Sequence, residues 1–494
     1  MRSLRLSTLA AWLLIILIPM RILSAGFLPV DDALRHVGKA LTDRPWTEIL
    51  VLRPEATEDS HPGWHWALRT VHQATGANNV DLVFFSVIAL YALVAGVGLG
   101  QTSPIAWMLT LLVAYATAPS EMQRWVMGRP YLVSASVVLL LTGRWSRSGP
   151  HQPRDWPFLA LLFGVVAWIH PSYYLFGVPV LALILCREYV GAAVLGSAVA
   201  AGAVIAGCLT GHPVKFLYQS VMHPVWSLSW PTTTLAGEFQ PGLGAPIFVL
   251  AFFAATLFLN SGSRRGTWNP PVATFALLGW ILSFVSSRFW MDWGLPAAMM
   301  LLARMFEEWL ESTEQGMKLR RHGVLVALMV FLIATPDTNG RWSGRAQSPY
   351  LVLTGQASRH LLPSPGGVLY SDDMRVFYEV FFRLPNAPFR YALGYEPGLM
   401  PLVDQNLLRQ EIASGLYLPF EDWVKKMTPR DRMVLRSDGA PPPLSGLEWT
   451  RVSRELWVGM KAAASPEGEG REPQARPPKG VATPSGSPKA ELGS

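Results

Sequence analysis

From residue 8 to about 335 the chain is a succession of apolar stretches, each ended by charges or turn residues, and this constrains the fold before any motif does. The stretches fall at roughly 8–27, 80–100, 104–118, 130–143, 157–171, 173–186, 189–210, 245–260, 271–287, 294–306 and 322–335, about eleven in all. Only 15% of the residues are charged, against roughly 25% in a soluble globular domain. The pattern predicts an α-helical polytopic membrane domain over residues 1–335. Several stretches hold only ~14 residues, so a re-entrant or interfacial reading stays open for them. The first follows Arg2 and Arg5 as a signal peptide would, but its length, its internal Arg21 and the spans behind it favour a retained anchor.

Orientation follows from the basic residues of the short loops. A cytoplasmic N-terminus puts Arg2, Arg5, Arg144, Arg147, Arg154, Arg187, Arg264, Arg265, Lys318, Arg320 and Arg321 inside. Only Arg124, Arg129, Lys215 and Arg288 remain in short outer loops. With an odd number of spans, the loop 28–79, the segment 211–244 and everything after Pro336 face the outer side of the cytoplasmic membrane. The segment 211–244, with Trp226 and Trp230 among prolines, reads as an interfacial helix.

Beyond Pro336 the apolar runs shorten to strand length, as in Gly367–Tyr370 and Met433–Leu435, and alternate with helix-like stretches at 373–383 and 404–415. That alternation predicts a small extracytoplasmic α/β domain over 336–460. Residues 461–494 are Pro, Gly, Glu, Lys and Ser with almost nothing to bury, which predicts a disordered tail. The cysteines, Cys186 and Cys208, lie in apolar runs without His/Cys spacing, so neither a disulfide framework nor a structural zinc site is implied. The net charge of +7 comes from basic residues scattered singly, which excludes a nucleic-acid groove. Membrane lipids are the expected surroundings.

Ionisable residues collect in the outer loops. The first loop carries Asp31, Asp32, Arg35 and His36 just after the first span, then Glu58-Asp59-Ser60-His61-Pro62-Gly63-Trp64-His65. A carboxylate at a bilayer edge suits general-base work, with the second orienting it or holding a metal. The structural alternative makes Asp32 the N-cap of a helix over Ala33–Leu41, with Asp31 solvated. The second cluster runs from Glu121 through Arg124 to Arg129, Pro130 and Tyr131. Two arginines on the outer side want an anion, and the guanidinium fork matches a lipid phosphate or diphosphate. The alternative there is interfacial snorkelling with a salt bridge to Glu121. His170, before Pro171, and the run Ser287-Arg288-Phe289-Trp290-Met291-Asp292-Trp293 also fall at outer span ends.

This order of features resembles the GT-C superfamily of integral-membrane glycosyltransferases, which transfer a sugar from a polyprenyl-phosphate carrier. The resemblance covers residues 1–335 at the level of layout. It implies a catalytic Asp in the first outer loop, at Asp32 or Asp31, and a second acidic position at Glu121. It also implies carrier-phosphate binding by Arg124, Arg129 or Arg288; Arg35, His36, His61 and His170, read from the same loops and span ends, are the further candidates for contact with substrate. The implied reaction is an inverting transfer to an extracytoplasmic glycan, lipid or protein acceptor of the cell envelope. Neither outer loop carries an Asp-x-Asp or Glu-x-Asp triplet, so a divalent cation, Mg or Mn, stays an open question. The rival readings are a transporter or lipid-handling protein and a non-catalytic scaffold for the C-terminal domain. Transporters usually place ionisable residues in mid-span and often repeat their halves, whereas here the charges sit at span ends.

Overall fold

A computed structural model gives the architecture of residues 2–29, 31–228, 240–260, 269–337, 342 and 361–461. The first part of the chain comprises α1 (Arg2–Ser24), α2 (Asp32–Ala40), α3 (Trp46–Ile49), α4 (Pro62–Thr75), α5 (Asn79–Gln101), α6 (Pro104–Thr117), α7 (Pro119–Arg124), α8 (Tyr131–Ser148) and α9 (Trp156–Ile169). It continues with α10 (Gly177–Leu185), α11 (Tyr189–Leu209), α12 (Pro213–Leu228), α13 (Pro246–Asn260), α14 (Pro270–Ser283), α15 (Leu295–Ser312), α16 (Glu314–Leu319) and α17 (Gly323–Ala334). The C-terminal part holds β1 (Val368–Ser371), α18 (Met374–Arg383), β2 (Arg390–Tyr391), α19 (Leu402–Ser414), α20 (Glu421–Lys426), β3 (Arg432–Arg436), β4 (Glu448–Arg451) and β5 (Leu456–Met460).

Every one of the predicted apolar stretches coincides with helix. Three of these helices, Arg5–Ser24, Asn79–Gln101 and Tyr189–Leu209, are long and apolar enough to cross a membrane. The segments Pro104–Thr117, Tyr173–Leu185, Pro246–Leu257 and Pro270–Ser283 are apolar but shorter. At 1.5 Å per residue a 14-residue helix rises only about 21 Å, against ~30 Å of hydrocarbon. The shortness has a local cause, because proline opens α6, α7 and α14 and cannot extend a helix backwards. Several helices still turn an apolar side outward: Leu9, Leu13, Leu17 and Met20 on α1, Phe158, Leu161 and Val165 on α9, and Leu325, Leu328 and Leu332 on α17 are exposed. By contrast α8 is buried along almost its whole length and forms the centre of the bundle, packed against α5 and α15.

The sheet has the order β2-β1-β3-β5-β4, with β1 parallel to β2 and β3 and the remaining pairs antiparallel. Alternation along β3 serves two cores. Val434 faces the main core shared with the helices, whereas Met433 and Leu435 face a second one built on Phe420 and Trp423. The segment 28–79 is laid along this sheet: Leu50 bridges Tyr391 in parallel, Val51 N–H donates to Tyr391 O at 2.9 Å, and Arg53 N–H donates to Leu399 O at 2.9 Å. Behind it, α2 lies so close to α18 that a Cβ on Gly38 would come within 2.8 Å of the Phe381 ring. Residues Met1–Lys461 accordingly form one compact unit.

Within the segment read as interfacial, α12 turns Val214, Tyr218, Val221 and Val225 outward, while Trp226 is buried beneath the Arg53 guanidinium, 4.2 Å from the ring centroid. Trp230, Arg264, Arg265 and the tail beyond Lys461 lie outside the described residues. Cys186 and Cys208 are both free.

Candidate active site

The helix ends that carry Asp31, Arg124, Arg129, His170 and Asp292 meet at the same end of the bundle, beneath α2 and α4. The capping role weighed for Asp32 is not what forms. Asp31 occupies the N-cap position of α2 without a side-chain cap bond, and Asp32 is the first helical residue. Both carboxylates go to guanidinium groups instead. Asp31 Oδ2 accepts from Arg129 Nη2 at 2.5 Å and its Oδ1 from Arg129 Nε at 3.4 Å. Asp32 Oδ1 accepts from Arg35 Nε at 2.7 Å, and its other oxygen lies 3.9 Å from Arg129 Nε. A charge-assisted bond to a guanidinium outcompetes a neutral helix N–H for the same oxygen.

The second arginine pair converges on a residue to which the sequence assigned no role. Asp292, 2% exposed, sits in a π-helical turn over Trp290–Gly294 and accepts from Arg288 Nε at 3.0 Å and from Arg124 Nη2 at 3.4 Å. That turn is admitted by glycine on both sides: a Cβ on Gly279 would approach Gly294 Cα to 2.5 Å. Arg288 Nη2 also lies 3.2 Å from His170 Nε2, and Ser134 Oγ lies 3.1 Å from His170 Nδ1. Because a guanidinium only donates, His170 accepts at Nε2 and carries its proton on Nδ1 toward Ser134. The i, i+4 spacing of Arg288 and Asp292 was the readable signal for this pair.

Two cavities meet at these arginines. A small one of about 20 Å³, room for about one water, is lined by Asp32, His36, His61, His170 and Arg288 with Arg124 and Arg129. A wide cleft of about 710 Å³ is lined by Asp31, Glu121, Ser287 and Trp290, again with Arg124 and Arg129. Arg124 and Arg129 line both, so the two cavities adjoin at these side chains. Asp31 and Glu121 share the wide cleft, and Asp32 belongs to the small cavity. Glu121 accepts from Ser120 Oγ at 2.6 Å. Trp290 also lines a third, apolar cleft of about 300 Å³ between α13, α14 and α15, with Phe252, Phe253, Leu277 and Trp280.

Beneath the small cavity lies a buried histidine cluster. His36 and His61 meet edge to face with ring centroids 4.7 Å apart, and His61 and His170 are 5.7 Å apart. His65 links His36 to Asp59: its Nε2 is 2.9 Å from His36 Nδ1, and its Nδ1 is 2.6 Å from Asp59 Oδ2. Burial pushes His36 and His61 well below the usual imidazole range, with the Arg35 charge adding to it. His65 is also lowered, since burial outweighs the opposing pull of Asp59. For Asp59 burial acts the other way, yet His65 and the His61 N–H hold its carboxyl below the usual range. Sequence reasoning gave Asp59 and His65 no role, although His61 and His65 stand one helical turn apart.

The donor set does not suit a divalent cation. Among the described residues no three His, Cys, Asp or Glu side chains are grouped to hold one, and Asp31, Asp32 and Asp292 each have a guanidinium as partner. The arginines that line the cavities favour an anion. No protein-family model and no curated protein matches the chain.

Proposed function

We propose that the chain is a GT-C-type glycosyltransferase, transferring a sugar from a polyprenyl-phosphate-linked donor to an acceptor on the outer side of the cytoplasmic membrane. The observation that carries this reading is the wall shared at Trp290. On one side stands a polar cleft with Arg124 and Arg129, and on the other an apolar cleft between α13, α14 and α15. An amphipathic ligand with an anionic head and a hydrocarbon tail suits both at once. Arg124 and Arg129 then hold the phosphate, with Arg288 beside them at the small cavity, and the apolar cleft takes the first isoprene units.

The chemistry is a single displacement with inversion. The acceptor oxygen attacks the anomeric carbon, the bond from that carbon to the phosphate oxygen breaks, and the phosphate leaves with the electron pair. Guanidinium groups aimed at that oxygen stabilise the charge that develops there. Asp32 accepts the hydrogen bond of the acceptor hydroxyl and begins to draw its proton. In this reading the apolar helices together make about eleven crossings with the N-terminus inside, the shorter ones tilted or re-entrant. Mass spectrometry of envelope glycans and glycolipids, with and without the gene, tests the assignment. Loss of one defined sugar is expected. An unchanged profile, together with binding of farnesyl-phosphate-linked hexoses that never releases farnesyl phosphate, would favour the lipid-handling reading instead.

A further inference from the structure

The hydrogen-bond directions in the histidine cluster can be followed one atom at a time. Asp59 Oδ2 only accepts when ionised, so the proton in its 2.6 Å contact belongs to His65 Nδ1. A neutral His65 then has a lone pair at Nε2, so the proton in the 2.9 Å contact belongs to His36 Nδ1. A neutral His36 in turn keeps a lone pair at Nε2. That atom is buried and has no hydrogen-bond partner, on a side chain with 0% exposure that lines the small cavity. His36 is also one turn after Asp32 on α2, which puts both on one face of that helix.

We infer that His36 Nε2 is the final acceptor of the hydroxyl proton, and that Asp59 and His65 are positioning residues that fix its tautomer and stabilise the imidazolium it becomes. This rests on the sugar-transfer reading above. As the acceptor oxygen bonds to the anomeric carbon its O–H bond breaks, Asp32 takes the proton, and the phosphate departs with the electron pair of the broken C–O bond; the proton then passes from Asp32 across the small cavity they both line to form an N–H bond at His36 Nε2. The positive charge gained by His36 is met through His65 by the Asp59 carboxylate. The logic is that of a base held in one tautomer by a buried acid, here with one imidazole interposed. The groups that face His36 are Arg35 and Asp32 on its own helix, His61 and His65 on α4, His170 at the end of α9, and Arg124, Arg129 and Arg288 around the cavity. All but the carboxylate and the neutral imidazoles are cationic, which keeps His36 unprotonated until the reaction supplies the proton.

The test uses the full chain in lipid nanodiscs and two measurements. Nitrogen NMR of the histidines at pH 7 should show His36 and His65 both neutral with the proton on Nδ1, and Asp59→Asn should move the His36 proton away from Nδ1. A doubly protonated His36, or a proton on its Nε2 in the wild-type chain, overturns the inference. Turnover is then read as release of farnesyl phosphate from farnesyl-phosphate-linked glucose, galactose and mannose. His36→Gln should lose on the order of 10²–10⁴-fold in turnover while binding of farnesyl phosphate stays within about threefold. His36→Gln that keeps more than about a tenth of wild-type turnover also overturns it. A wild-type chain that releases nothing from any of the three donors overturns the sugar-transfer reading itself, whereas the tautomers still report on the relay.

Discussion

Arg129 grips Asp31 through two of its nitrogens, at 2.5 and 3.4 Å, across 98 residues of sequence. The pair joins the N-terminus of α2 to the turn before α8, and thereby fixes the segment that begins with α2 over the central helix of the bundle. It also presents one guanidinium to both cavities.

Arg129→Ala should therefore do two things. It should weaken farnesyl phosphate binding by about 1.5–3 kcal/mol, the loss of a charge-assisted hydrogen bond, or ~10- to 150-fold in Kd. It should also lower Tm, because Asp31 loses the ion pair that ties α2 to the turn before α8. Arg129→Lys should recover part of the stability and less of the affinity, since an ammonium does not reproduce the fork. Titration and thermal unfolding of the same preparations separate the two effects.

A pH effect on stability is expected from the C-terminal part. Burial, with Glu411 and Asp373 nearby, pushes the Asp372 carboxyl up to about 7. A folded-state value above the unfolded one means that the neutral form is favoured in the fold. The contribution to stability is complete below the unfolded value near 4 and is lost as pH rises through 7. The difference in stability between Asp372→Asn and wild type should be near zero at pH 4 and reach ~1–3 kcal/mol in favour of the variant at pH 8. Comparing the two chains isolates this group, because His36 and His61 act in the other window: their folded-state values are lowered, so their contribution is lost as pH falls below about 6.5. A difference independent of pH would contradict the assignment to Asp372.

Topology offers a third check. Reporter fusions at residue 340 should be active only on the outer side, and fusions in the Arg144–Asp155 turn only in the cytoplasm. Activity of the first in the cytoplasm would reverse the orientation and put the candidate site on the wrong face for a lipid-linked donor.

What the sequence conveyed and what it hid follow from how far each interaction reaches. The helices were legible because a run such as Val80–Leu99 carries its own signal, and β1 and β3 because short apolar runs stand between turn residues. Asp31 and Arg129 were both singled out, yet their pairing was not, since nothing local brings α2 to the turn before α8. The cap expected at Asp32 failed because two guanidinium groups compete for its carboxylate: Arg35, one turn on along α2 and so within reach of the sequence, and Arg129, which only tertiary structure brings near. Asp292 looked like one polar residue in an aromatic belt; its i, i+4 partner Arg288 was within reach of the sequence, whereas Arg124 is set beside it only by the fold. The relay from Asp59 to His36 needed α2 and α4 to be packed together, and the glycine that lets α2 approach α18, Gly38, gains its meaning only from Phe381, more than 300 residues away.

The central claim is that the arginines hold a lipid phosphate while Asp32 acts on the acceptor, and one measurement bears on it most directly: turnover and binding read side by side on the same chain. Wild-type protein in nanodiscs should release farnesyl phosphate from at least one farnesyl-phosphate-linked hexose. Asp32→Asn should cut that turnover by ~10²-fold or more with farnesyl phosphate affinity nearly unchanged, because the amide keeps the size of the carboxylate and loses its basicity. Arg124→Ala should show the reverse emphasis, with affinity falling by ~10-fold or more. Wild-type turnover in both the Asp32→Asn and Asp31→Asn chains, or no release from any donor by the wild-type chain, would contradict the account.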